Sequence, residues 1–248
     1  MTKVEQAESF CYNQKIDKGV AGGDMSGKIN VLGIYIDNYT AKEAMKRAME
    51  YMESDPVNII DLVTVNDVMD MEEAPGLKEE ISEFDLVLAG DRTILEAADI
   101  DERKYLQYTE RSLFLKMFLR YLHKNHKRVY LLVETEEEGQ ILYDYLERYY
   151  GGIQISGMAK VSAGNRADDM LVNAINGAEI DCVISVLSSP LQEDFAVRNR
   201  NLLNTRILLG LGKELLPVFD RGAGTEKMTR FLLKRIFKKE MKKRKKEK

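Results

Sequence analysis

Asp181–Arg200 reads DCVISVLSSPLQEDFAVRNR. Cys182–Leu187 is almost purely apolar and rich in Val and Ile, the pattern of a short strand buried on both faces. Ser188, Ser189 and Pro190 break the run. From Gln192 onward Phe195, Ala196, Leu202 and Leu203 recur among charged residues, which predicts a helix. Strand, small-residue loop and helix form the repeating unit of an α/β protein. The loop lies at a strand's carboxyl end, and the helix start offers unpaired N–H groups to an anion such as phosphate. Ser188 and Ser189 add hydroxyl donors. Every βα unit has such a loop, so its shape alone assigns no ligand.

The same unit recurs outward from this stretch. Further strands are expected at Ile29–Ile36, Val57–Val65, Asp85–Ala89, Val129–Val133, Ile153–Met158 and Thr205–Leu211. A helix after Thr40 carries Ala41, Ala44, Met45, Ala48, Met49 and Met52 on one stripe, and Thr40 with Glu43 fits a capping box. A short helix at Val68–Glu73 is expected to stop at Pro75 and Gly76. Others are expected up to Ala98, at Arg111–Asn125, at Glu136–Tyr150 before Gly151–Gly152, and at Ala167–Asn176. This alternation predicts a Rossmann-like, mostly parallel sheet with helices on both faces. The expected division is a flexible leader at 1–27, an α/β core at 28–212 and a basic appendage at 213–248. From Glu226 the appendage reads as a basic amphipathic helix, with Met228, Phe231, Leu232, Ile236, Phe237 and Met241 on its apolar side.

The chain has 248 residues, 44% of them apolar and 31% charged. No apolar run is long enough to span a membrane, and the first residues lack the apolar core of a secretory signal. Two cysteines, Cys11 and Cys182, suit a reducing compartment and exclude a disulfide framework. Charge is segregated. Arg230–Lys248 holds 11 Lys/Arg against 2 Asp/Glu, so with a total of −4 the remainder carries −13. A basic tail on an acidic body suits an anionic membrane surface or a phosphate-bearing substrate. Nucleic acid is not the expected partner, because the acidic body would repel it.

Strand ends of a parallel sheet share one edge, so their loops converge. That places Thr64, Asn66, Asp67, Gly90, Asp91, Arg92, Ser188, Ser189, Gln192 and Glu193 together as candidates. Carboxylates there can act as a general base, and Asn, Thr and Gln can orient a polar substrate. Signals for a metal are poor. His123 and His126 sit among Lys124, Lys127 and Arg128, and Asp99-Ile-Asp101 is too short a pattern to argue from. No cofactor motif is present: there is neither a P-loop nor G-x-G-x-x-G.

Several stretches, in one order from Lys28 to Phe237, resemble the bacterial WecG/TagA/CpsF glycosyltransferases, which include N-acetylmannosaminyltransferases. They are KINVLGIYIDNYTAKEAMKRAMEYM (28–52), Val63-Thr64-Val65-Asn66, DLVLAGDRTILEAA (85–98), SSPLQEDF (188–195), ILLGLG (207–212) and RFLLKRIF (230–237). The resemblance implies an inverting transfer from a UDP-sugar to an undecaprenyl-diphosphate-linked glycan, without a metal. It implies a cytoplasmic enzyme, peripheral at the inner face of the cell membrane, with a self-associating core. The roles it implies are Asp91 as base, Thr64 and Asn66 on the sugar, and Gln192 and Glu193 on donor or acceptor hydroxyls. The diphosphate would lie near Ser188 and Ser189, assisted by Arg230 or Arg235. The chain also departs from the pattern. The family's presumed catalytic Asp aligns with Gly90, its Lys with Leu191, its Trp with Phe195 and an Arg with Gln107. Its second Gly-Gly pair aligns with Lys213-Glu214, and its L-G-G loop with Val133-Glu134. A catalytically degenerate relative that binds nucleotide sugars or regulates a partner is the alternative expectation.

Overall fold

The structure is a computed structural model, and it describes residues 27–100, 112–164, 168–219, 237, 239 and 241–243. Its elements in chain order begin with β1 (Lys28–Val31), β2 (Ile34–Asp37), α1 (Ala41–Tyr51), β3 (Asn58–Val63), α2 (Val65–Asp70), α3 (Pro75–Ile81), β4 (Leu86–Ala89) and α4 (Arg92–Ala97). There follow α5 (Leu113–Lys124), β5 (Arg128–Val133), α6 (Glu136–Tyr150), β6 (Gln154–Lys160), α7 (Asp168–Gly177), β7 (Cys182–Ser185), α8 (Leu191–Asn199) and β8 (Ile207–Gly210). Short 3-10 segments cover Met71–Glu73 and Lys213–Val218.

Six strands form one sheet in the order β4-β3-β8-β7-β5-β6, every neighbouring pair parallel. Helices cover both faces, which is the Rossmann-like arrangement expected. Strand side chains alternate between two cores. Ile59, Val63, Val87, Leu132, Val183 and Leu208 pack with residues of α2, α4, α7 and α8. Ile60, Leu62, Leu88, Leu131, Ile184 and Leu209 pack with α1, α5 and α6. Burial on both sides is why the strands read as unbroken apolar runs. Asn58 and Asp61 in β3 and Ser185 in β7 are buried polar exceptions, and β6, at the edge of the sheet, is alternately exposed and half-exposed.

The sheet order fixes where a ligand can sit. After β5 the chain crosses through α6 on one face to reach β6, on the outer side. After β7 it crosses through α8 on the other face to reach β8, on the inner side. Neighbouring strands that send the chain in opposite directions leave a crevice outside their carboxyl ends. Glu134 follows β5 and Ser188 follows β7, so these two residues flank that crevice.

Three local expectations are corrected. Ile29–Ile36 is an antiparallel hairpin outside the main sheet, not one strand. Leu32 (φ 51) and Gly33 (φ 92) both adopt left-handed backbone, the geometry of a tight two-residue hairpin turn. Pro75 opens a helix instead of ending one, since its missing N–H costs nothing in the first turn. Met49, expected in the core stripe of α1, is 47% exposed. The capping box of Thr40 and Glu43 is present in full. The hairpin lies beside β4, where Asp37 accepts a hydrogen bond from Val87 N at 2.9 Å.

Residues 237, 239 and 241–243 are helical. Phe237 and Met241 are buried in the core shared with α8, while Lys239, Lys242 and Lys243 are exposed. At these positions the apolar side packs on the protein body. The leader, Asp101, Gln107, Arg230 and Arg235 lie outside the described residues.

Candidate functional site

The exits of β3 and β4 are tied together by side chains that cap helices. Thr64 precedes α2, accepting from Asp67 N at 3.4 Å and donating its hydroxyl to Asp67 Oδ2 at 2.7 Å. Asp67 Oδ2 also accepts from Thr64 N at 2.7 Å, which completes a capping box. Asp91 caps α4, with Oδ1 accepting from Thr93 N at 2.6 Å and Ile94 N at 3.3 Å. Its Oδ2 accepts from Val65 N at 3.0 Å, joining the two loops. Asn66 is half-buried in the first turn of α2.

Behind these loops lies a buried polar network. Gln192, on the first turn of α8, donates to Asp61 Oδ1 at 2.9 Å and accepts from Gly212 N at 3.0 Å. It thereby ties α8 to β3 and to the exit of β8. Gly210 pairs with Asp61 on one side and Ser185 on the other. A Cβ at 210 would collide with Asp61 Oδ1 and come within 2.7 Å of Gln192 Nε2, so the bond passes over a glycine of necessity. Gly212 has φ +66, and its Cβ would meet both Asp67 carboxyl oxygens at 3.3 Å. Ser189 Oγ donates to Asp67 O at 3.5 Å.

Three carboxyls share this network, and burial dominates their chemistry. Asp67 is pushed up to about 8, first by burial and then by the Glu193 charge, against the hydrogen bonds from Thr64. Glu193 is pushed up to about 7 by burial, opposed by its own backbone N–H and by Ser189. Asp61 is held well above the usual carboxylate range by burial, then by Glu193 and Asp67. Asp61 Oδ2 and Glu193 Oε2 are buried without a hydrogen-bond partner. Taking a proton is the cheaper state for a carboxyl so placed.

The other half of the edge holds a cavity of about 670 Å³, bounded by α3, α8 and the loops after β5, β6 and β7. Ala74, Leu77, Ala163, Pro190, Leu191 and Val197 give it apolar walls. Ser188, Ser189 and Ser162 supply hydroxyls, and Glu80, Glu134, Asp194 and Arg198 supply charge. Glu134 Oε1 accepts a hydrogen bond from Ser188 N across the crevice. The Glu134 N–H is in turn held by Glu138 Oε2 at 3.0 Å, and Glu138 Oε1 pairs with Lys213 Nζ at 2.7 Å. Burial works against the Glu138 charge, but Lys213 and the Thr135 and Glu134 N–H groups outweigh it and lower the proton affinity.

The structure brings Thr64, Asp67, Ser189, Gln192 and Glu193 into one network, with Asp91 on the adjoining loop. Of the candidates, Ser188 and Ser189 line the cavity; Thr64, Asn66, Asp91, Gln192 and Glu193 are not among its lining residues. Gln192 and Glu193 are 3% and 1% exposed. At Gly90, where the resemblance places an acid, a Cβ would stand 3.0 Å from Thr64 Cγ2 and 3.1 Å from two backbone carbonyls. The acid stands one residue later, at the helix cap. Sequence reasoning missed Asp61 and undervalued Glu134. A lone carboxylate inside an apolar strand was the available signal for the first; the second had none. His123 accepts from Gly152 N at 2.9 Å, and His126 lies 3.2 Å from Gly152 O, so both close the α5–β6 corner. Among the described residues no group of three or more His, Cys, Asp or Glu is placed to hold a metal ion.

A parallel sheet with a switch-point crevice and a Ser-Ser-Pro loop beside a cavity places the candidate site at the carboxyl edge, where open α/β sheets hold their ligands. The sequence model of the glycosyl transferase WecG/TagA/CpsF family matches residues 29–228, and the chain belongs to that family. The chain is also 20% identical over 216 residues to the N-acetylglucosaminyldiphosphoundecaprenol N-acetyl-beta-D-mannosaminyltransferase of Staphylococcus aureus (strain MRSA252). That match covers 85% of this chain and 82% of the relative.

Proposed function

We propose that the protein is an inverting glycosyltransferase that moves an N-acetylmannosamine-like sugar from UDP to an undecaprenyl-diphosphate-linked glycan. The observation that carries this reading is the cavity beside the Ser188–Pro190 loop at the sheet's switch point, in a chain of this family. The class of donor sugar and acceptor is taken from the activity of the Staphylococcus aureus relative. The diphosphate would lie toward Ser188 and Ser189, with Arg230 and Arg235 contributing charge. Asn66 would face the sugar, and Thr64 would hold the turn that presents it. Gln192 and Glu193 would support the site from beneath.

In the step itself the acceptor hydroxyl oxygen bonds to the anomeric carbon as the bond from that carbon to the UDP oxygen breaks. UDP leaves with the electron pair, and Asp91 takes the hydroxyl proton. A carboxylate offers about four lone-pair directions, and three backbone N–H groups occupy Asp91. The remaining direction, on Oδ2, would receive the proton. Phe237 and Met241 pack inward, so exposed Lys239, Lys242 and Lys243 would face anionic lipid at the cytoplasmic side of the membrane.

The test is transfer from UDP-N-acetylmannosamine to a short-chain lipid-diphosphate acceptor, together with UDP titration by calorimetry. Asp91→Asn keeps a capping oxygen and is expected to cut transfer at least about 100-fold while UDP binding persists. Undiminished transfer would remove Asp91 from the chemistry. The three hydrogen bonds on Asp91 favour a second reading, in which this acid is purely structural and the protein binds nucleotide sugars for a partner. UDP binding without transfer by the wild type would select it.

A further inference from the structure

We propose that Glu134 sets the affinity of the donor pocket: its carboxylate competes with the phosphate of a UDP-sugar for the Ser188 N–H. This rests on the donor site proposed above. The two residues stand on opposite lips of the switch-point crevice, at the ends of neighbouring strands. A phosphate entering that crevice meets loop N–H groups first. The Ser188 N–H already donates to the Glu134 carboxylate at Oε1. Charge-assisted bonds of this kind are the strong ones, and two anions cannot share one N–H without repulsion.

The remaining lining does not offset that charge. Arg198, the cationic residue on the wall, pairs with Asp168 at 2.8 Å and Asp194 at 3.2 Å. Glu80 and Asp194 add two further carboxylates. The side chain that can receive a displaced Glu134 is Lys213. It is paired with Glu138 at 2.7 Å and already lies within the field of Glu134, which helps to raise its proton affinity. Glu134 and Lys213 are two of the positions at which the chain departs from the family pattern, and the fold brings them to the same corner. An anion entering the site therefore has to displace a charge already seated there, which lowers its affinity.

Calorimetric titration of UDP and of uridine into the wild type, Glu134→Gln and Glu134→Ala tests this. The Gln variant keeps an oxygen for the Ser188 N–H but not the charge; thermal melting of each variant checks folding. UDP should bind both variants at least about fivefold more tightly than the wild type, while uridine, which has no phosphate, should bind all three alike. UDP affinity that is unchanged or weaker overturns the proposal and leaves the donor site standing. Equal gains for UDP and uridine also overturn it, because Glu134 would then merely narrow the cavity. If UDP binds none of the three, the donor site falls and this proposal with it.

Discussion

The carboxyl edge of the sheet has two halves that use polar residues in opposite ways. Outside β3, β4 and β8, Asp61, Thr64, Asp67, Asp91 and Gln192 bond to one another or to backbone, over Gly210, which has no room for a side chain, and Gly212, whose φ of +66 disfavours one. Outside β5, β6 and β7, serines and carboxylates surround a cavity of about 670 Å³. The first half is locked and the second is open. Polar residues at a strand end therefore do not announce a binding surface by themselves. Here the locked half holds the shape of the edge, with one direction on Asp91 Oδ2 left over for the proposed proton transfer, and the open half holds the cavity.

The sharpest way to break the contrast is to add one methyl group to the locked half. Gly210→Ala places a Cβ on the Asp61–Gln192 bond and leaves two buried polar groups without partners. The expected cost is about 3 kcal/mol or more, read from the urea midpoint. A loss below about 1 kcal/mol would mean that the network is loose.

The next effect is a pH dependence confined to the locked half. Glu193 titrates normally at 4.5 when unfolded and is pushed up to about 7 in the fold by burial. A raised acid contributes its full stability below the unfolded value and loses it as pH rises through the folded one. Gln at 193 imitates the protonated form at every pH. Glu193→Gln should therefore gain stability relative to the wild type as pH is raised from below 4.5 to above about 7. Asp67, ordinarily at 3.8 and pushed up to about 8, widens the window at both ends, so Asp67→Asn should begin to gain at lower pH and level off only above about 8. A stability difference that stays flat across that range would show both acids ionised in the fold.

The smallest effect on stability belongs to the open half. Ala163 lies exposed on the cavity wall, so Ala163→Leu should change the urea midpoint by no more than about 0.5 kcal/mol. The same substitution should weaken UDP binding by filling the space. A large loss of stability with intact binding would reverse the assignment of the two halves.

Most of the scaffold was legible because it follows from local rules. Cys182–Leu187 is almost purely apolar, broken by Ser185 alone, because helices cover both faces, and Thr40 with Glu43 announced its helix by a hydrogen-bond pattern that needs no tertiary context. Ile29–Ile36 misled because Leu32 and Gly33 sit in an apolar run, where a left-handed Leu gives no warning of a turn. Pro75 misled because a residue that ends one helix is equally fit to begin another. The convergence of the Thr64, Asp91 and Ser188 loops was also legible, being a property of parallel sheets. Which of those groups the fold consumes was not. Gln192 is spent on Asp61 and Gly212, residues 131 and 20 positions away, and no local pattern encodes those bonds.

Asp37 has a bearing on how molecules of this protein meet one another. An outermost strand normally exposes a row of amides onto which a second polypeptide can add itself. On the β4 side the hairpin stands in the way, and Asp37 already takes the Val87 amide. On the opposite side β6 ends the sheet, with its residues alternately exposed and half-exposed from Gln154 to Lys160. Among the described residues, backbone pairing with another chain is therefore blocked at the β4 edge while the hairpin stays in place, and β6 is the other edge of the sheet.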